Sequence, residues 1–95
     1  MVKKLIWTKE AISNLNDIAL FISTDSTFYA SHFVEEIIFE SENITFFPNK
    51  GRVIPELNNK YFRETFISNY RLMYEIEDNQ IFIQAIVHMK KEFKK

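Results

Sequence analysis

The chain has no cysteine, which excludes disulfide frameworks, thiolate chemistry and cysteine-based zinc sites. With Gly 1 and Pro 2 in 95 residues, there is little room for linkers, repeats or low-complexity tails. A long hydrophobic run is also missing: the apolar stretch Leu5 to Trp7 ends at Thr8 and Lys9. Such a segment fits neither a secretory signal nor a membrane span, so a soluble, cytoplasmic protein with no membrane partner is expected. Nor is there a basic excess. Lys+Arg 12 against Asp+Glu 13 gives a net charge of -1 and a pI of about 6.1, whereas a protein that grips a phosphate backbone usually carries a basic field. Basicity is local, at Lys50-Gly51-Arg52 and at Lys90, Lys91, Lys94 and Lys95, and the latter group serves equally well as a solubilising tail.

What the chain does have is apolar mass. Hydrophobic residues make up 46% and aromatics 16%, enough for one compact domain over residues 1–95. The last third reads as three strands, Tyr61 to Ile67, Tyr70 to Glu77 and Gln80 to His88, separated by Ser68-Asn69 and Asp78-Asn79. Two-residue connections of this kind imply tight antiparallel hairpins. A short first strand precedes Thr8, a candidate N-cap, with Glu10 in the first helical turn. Ala11, Leu15, Ile18, Ala19 and Ile22 recur at helical spacing to about Ser23. Asp25 and Ser26 offer the next cap, and Ala30, Phe33, Ile37 and Ile44 form the stripe of a second helix, which Pro48 ends near Phe47. Asn49 to Lys60 reads as a loop, with Gly51 supplying backbone freedom and Pro55 blocking ladder bonds. The order β-α-α-β-β-β predicts an α+β two-layer sandwich, a helix hairpin packed on an antiparallel sheet.

The hairpin register assigns faces. Phe66 falls opposite Arg71, and Arg71 opposite Ile86. One face then carries Leu72, Tyr74, Ile76, Ile81, Ile83, Ala85 and Val87, and is expected to meet the helices. The other carries Phe62, Glu64, Phe66, Arg71, Met73, Glu75, Phe82, Gln84, Ile86 and His88. Its large apolar residues suggest that something docks there. Arg63 falls on the helix side and is expected to reach water or a carboxylate at the sheet rim.

Among polar residues, Arg71 either pairs with Glu64 or Glu75 across strands or holds a phosphate or partner carboxylate in its fork; the first role is the commoner one. His88 closes the last strand beside Lys90 and Lys91 and is of a residue type suited to acid/base work, but no carboxylate or second His is spaced to orient it. His32 has no ligand partner and is assigned no metal. Glu56 follows Pro55 and is a solvated loop carboxylate by default. Neither a glycine-rich phosphate loop nor a nucleophile elbow is present, and no cofactor is expected.

Several segments together resemble the RelE/ParE toxin superfamily: Trp7-Thr8, Ala30…Phe33-Val34, Gly51-Arg52…Pro55-Glu56, Tyr61-Phe62-Arg63-Glu64, Tyr70-Arg71-Leu72-Met73-Tyr74 and Ile86-Val87-His88. The resemblance spans nearly the whole chain and implies the same β-α-α-β-β-β order. It further implies the toxin of a bacterial type II toxin–antitoxin, or plasmid stabilisation, system, neutralised by a cognate antitoxin. RelE-like members cleave mRNA on the ribosome with outward basic residues, but the positions of their first-strand lysines carry Phe62 and Glu64 here. Arg71 matches their central arginine, and Lys91 could stand in for a later basic residue. A YoeB-like ribonuclease set would use Glu56, Arg71 and a near-terminal histidine, for which His88 sits one residue early. ParE-like members, which poison DNA gyrase, are matched by the Gly-Arg…Pro-Glu segment and the terminal His.

The expectation is therefore a ParE-like toxin. Phe62, Phe66, Arg71, Phe82, Ile86 and Lys90 would form its partner-binding face, a patch that would serve a homodimer as well as an antitoxin. The alternatives are a RelE/YoeB-like ribonuclease using Arg71, His88, Glu56 and Lys91, with ribosome and mRNA as partners, and a degenerate non-toxic binding domain.

Overall fold

The computed structural model describes residues 2–90. Its elements are β1 (Lys4–Trp7), α1 (Lys9–Ser23), α2 (Thr27–Phe46), a 3-10 turn (Pro48–Lys50), β2 (Arg52–Val53), β3 (Phe62–Ile67), β4 (Tyr70–Ile76) and β5 (Gln80–His88). The strands make one sheet in the order β1-β5-β4-β3-β2, and the two helices cover one of its faces. The α+β two-layer arrangement expected from the sequence is the one observed. The sheet is mixed, however, because β1 runs parallel to β5, with Lys4 opposite Gln80 and Trp7 opposite Ile83. The two hairpin turns fix only the directions within the meander and leave the direction of an edge strand arriving from elsewhere open.

Local chemistry places both helices. The Thr8 Oγ1 accepts from the Ala11 N–H at 3.1 Å, and Ser26 Oγ accepts from the Tyr29 N–H at the same distance, each satisfying a donor that a first turn leaves open. Pro48 enters only after Phe46, where α2 has already ended. From α1, Ala11 is buried and Leu15, Ile18 and Ile22 are half-buried; Phe33, Ile37 and Ile44 from α2 complete the helix side of the core over Leu72, Tyr74, Ile81 and Ile83.

The first hairpin keeps the expected register, Phe66 opposite Arg71, with Ser68 at φ 54° in the turn. The second does not. Tyr74 faces Ile83, but Met73 faces Ala85, so Gln84 is an extra residue, a β-bulge. Beyond the bulge every side chain of β5 changes face. Arg71 therefore lies opposite Val87 rather than Ile86. Ile86 turns into the helix-side core, 2% exposed, and His88 turns to the helix side as well; Ala85 and Val87 turn outward.

Thr8 and Asn14, at and near the start of α1, bond to the bulged segment. Pairing with β1 ends at Ile83, leaving the following backbone groups of β5 without a strand partner on that edge. Thr8 Oγ1 donates to the Ile83 carbonyl at 2.9 Å, and Asn14 Oδ1 accepts from the Ile86 N–H at 3.0 Å. The N-cap Thr8 and Asn14 of α1 thus meet backbone groups of the kinked segment that a continued ladder would have met.

Residues 52–60 do not form a plain loop. Arg52–Val53 pair with β3, Arg52 opposite Glu64 and Val53 opposite Arg63, and the chain then crosses the outer face of the sheet. Ile54, 1% exposed, packs there with Met73 and Ala85, while Leu57, Phe62 and Val87 border them. Nor does Gly51 serve by a special backbone angle, since its φ is -81°. A Cβ on Gly51 would lie 2.6 Å from the Glu64 carbonyl oxygen and 2.7 Å from the Tyr74 hydroxyl. Glycine is needed for close approach. Arg63, expected to reach water or a carboxylate, donates instead to the carbonyls of Gly51 at 2.9 Å and Lys60 at 3.1 Å.

Candidate functional site

The outer face is organised by a carboxylate between two arginines. Alternation along β3 and β4 puts Glu64, Phe66, Arg71 and Met73 on the same side, and β2 adds Arg52 directly opposite Glu64. The Glu64 side chain has no solvent exposure; its Oε1 accepts from Arg71 Nε at 2.6 Å and its Oε2 from Arg52 Nε at 2.7 Å. Burial of a carboxylate is tolerable only with such pairing. The remaining edge of the Arg71 guanidinium is met by residues 54–60, the strap across the outer face: Nη1 donates to Glu56 Oε2 at 2.8 Å and Nη2 to Glu56 Oε1 at 2.7 Å. Glu56 and Arg71 form a bidentate fork, the strongest geometry open to this pair.

Arg71 is consequently buried, 4% exposed, and engaged by two carboxylates. Hydrogen bonding to Glu56 is the main reason that its already high pKa rises further; burial opposes this and Glu64 adds to it. The guanidinium is a permanent cation whose field is largely cancelled locally. Arg52 is different. Its side chain is 55% exposed, its Nε alone is bonded to Glu64, and its Cζ lies 5.0 Å from the centroid of the Phe66 ring. Along with Pro55, Glu56, Phe66, Arg71 and Lys90, it lines an open groove of about 510 Å³.

The expected site residues scatter. Glu56 and Arg71 do meet, as a mutual ion pair. His88 does not join them. Its ring packs on Tyr70, centroids 5.4 Å apart, on the helix side of the sheet, and its Nδ1 accepts from the Lys90 N–H at 3.2 Å. Phe66 is exposed and Phe62 and Phe82 are half-buried, all on the outer side, whereas Ile86 is in the core and presents no surface to a partner. Lys90 is exposed at the groove rim; Lys91 lies outside the described residues. Glu75 pairs with Gln84, whose Nε2 donates to its Oε1 at 2.8 Å, and not with Arg71. Burial, with the nearby Glu77 charge, raises the Glu75 pKa. Arg52, legible in the sequence only as one basic residue beside Gly51, joins the site because a two-residue strand aligns it with Glu64.

Among the described residues no helix is long and apolar enough to cross a membrane. The chain is similar in structure to a chain of the chromosomal ParDE TA system from P. aeruginosa, with a TM-score of 0.76 over 94% of this chain and 98% of that one, at 17% sequence identity. At that identity the likeness speaks for the fold. No curated protein matches the sequence. The family model of the ParE toxin of type II toxin-antitoxin systems matches residues 5–93, and the chain therefore belongs to the ParE toxin family.

Proposed function

We propose that this chain is a single-domain, cytoplasmic toxin that binds and inhibits DNA gyrase and is neutralised by a cognate antitoxin. The observation that carries the choice of target is the state of Arg71. Cleavage of RNA by its own 2′-oxygen needs a cation presented to the scissile phosphate and an acid/base pair in the same pocket. Here the central arginine is buried and held by Glu56 and Glu64, and the histidine that would complete a ribonuclease set lies on the other side of the sheet. Two carboxylates beside Arg71 largely cancel the field that an RNA phosphate would feel from it. A protein target requires no such field. Accessible apolar and directional groups suffice, and Phe66, Phe82, Arg52 and Lys90 supply them.

In this reading Arg71 supports the surface by fastening the 54–60 strap. That the structural neighbour comes from a ParDE TA system supports an antitoxin partner for this chain too. Induction of the gene in a bacterial host tests the proposal. Growth arrest accompanied by DNA breaks, with mRNA intact and growth restored by the antitoxin, is expected; arrest accompanied by mRNA cut at defined codon positions overturns it in favour of a ribonuclease.

A further inference from the structure

The outer face offers two arginines, and they differ in what they present to a partner: Arg71 is buried and Arg52 is 55% exposed. Arg71 spends Nε on Glu64 and both terminal nitrogens on Glu56. Arg52 spends Nε on Glu64, and its Nη1 and Nη2 meet no acceptor among the described residues. Its guanidinium is nevertheless not loose: Glu64 holds one edge at 2.7 Å and the Phe66 ring supports its plane at 5.0 Å. A guanidinium fixed on one edge and over one face presents its other edge in a set direction, which lowers the ordering cost of receiving a ligand.

We propose that Arg52 is the anion receptor of this face and that it takes a side-chain carboxylate from an acidic peptide segment of a partner protein. Charge decides the class of ligand. The groove sets Arg52, Arg71 and Lys90 against Glu56, with Glu64 beneath. The resulting small positive excess suits one carboxylate and is poorly matched to the successive phosphates of a nucleic acid. Geometry agrees, because the two terminal nitrogens of a held guanidinium match the two oxygens of a carboxylate. Phe66, 44% exposed at the same place, offers an apolar contact to the residue beside the acid. The Glu56–Arg71 fork one position away is the same recognition already made within the chain. The inference rests on the reading that the outer face engages a protein, and it names the chemistry of that protein's contacting segment.

The test is fluorescence anisotropy with the full chain and an amidated, labelled probe peptide that alternates Glu and Ser around a single Leu. Saturable binding is expected, weakened at least about tenfold by Arg52→Gln and by replacing the probe's Glu with Gln. Arg52→Lys should recover only part of the loss, because a point charge lacks the fork. Phe66→Ala, which removes the ring platform and leaves every charge in place, should also weaken binding. Equal affinity of wild type and Arg52→Gln overturns the proposal, as does tighter binding of a single-stranded RNA of matched charge. Gyrase inhibition measured on the same preparations separates the two claims: no inhibition by the wild type refutes the choice of gyrase, while the peptide result alone decides the role of Arg52.

Discussion

Gly51 donates its N–H to the Tyr74 hydroxyl at 3.0 Å, and the Tyr74 hydroxyl donates to the Pro48 carbonyl at 2.6 Å. A buried tyrosine on the central strand thereby ties the 3-10 turn after α2 to the residue that leads into β2. Both bonded groups depend on it, since a buried donor or acceptor left unmet costs more than a made bond contributes. Tyr74→Phe should lower stability by about 1–3 kcal/mol. Gly51→Ala should cost a similar ~1–3 kcal/mol by overpacking against Glu64 and Tyr74. Urea midpoints of the two variants check both values, and wild-type midpoints would mean the junction is looser than described.

The bulge at Gln84 makes opposite predictions for neighbouring residues. Ile86, 2% exposed in the helix-side core, should cost about 2–5 kcal/mol on truncation to Ala. Leu72→Ala, from a position with 0% exposure, should fall in the same range of ~2–5 kcal/mol. Val87→Ala, half-buried on the outer side, should cost clearly less than either. A large loss at Val87 with a small one at Ile86 would restore the unbroken register.

That comparison also marks where the sequence stops being informative. Ser68-Asn69 and Asp78-Asn79 were enough to place the meander, and Thr8, Ser26 and Pro48 were enough to bound the helices. The bulge left no trace, because Ile81, Ile83, Ala85 and Val87 alternate as well as any uninterrupted strand. The side chains that meet it lie far away in sequence, at Thr8, the N-cap of α1, and at Asn14 within that helix. The strap had a fainter signal: Ile54 and Leu57 are apolar residues in a segment otherwise read as loop, and both pack on the sheet. Arg71 with Glu64 could be foreseen from strand pairing. Arg52 could not, since its alignment with Glu64 depends on a strand too short to show periodicity.

The two arginines should respond unequally to removal. Arg71→Ala leaves Glu64 buried with only Arg52 and frees the strap from its anchor, so a loss of about 3–5 kcal/mol is expected. Arg52→Gln, at a largely exposed position and with Glu64 still held by Arg71, should cost clearly less. Thermal or denaturant unfolding of the two variants distinguishes them, and equal losses would contradict the division between supporting and accessible arginine.

Glu75 predicts a pH dependence of defined sign. Burial raises its pKa above the ordinary 4.5, so the folded state holds this proton more tightly than the unfolded state does. Its contribution is therefore fully present below pH 4.5 and is lost as pH rises through the higher folded value. Glu75→Gln should match the wild type in acid and exceed it in stability at neutral pH. A variant that gains only in acid would reverse the sign and contradict the assignment.

The most direct measurement of the central claim is a gyrase supercoiling assay with the purified protein, run beside a ribosome-dependent mRNA cleavage assay on the same preparation. The account predicts that supercoiling is inhibited or cleaved DNA trapped, that antitoxin relieves the effect, and that mRNA stays intact. Unimpaired gyrase together with codon-positioned mRNA cleavage, abolished by Arg71→Ala or His88→Ala, would contradict it.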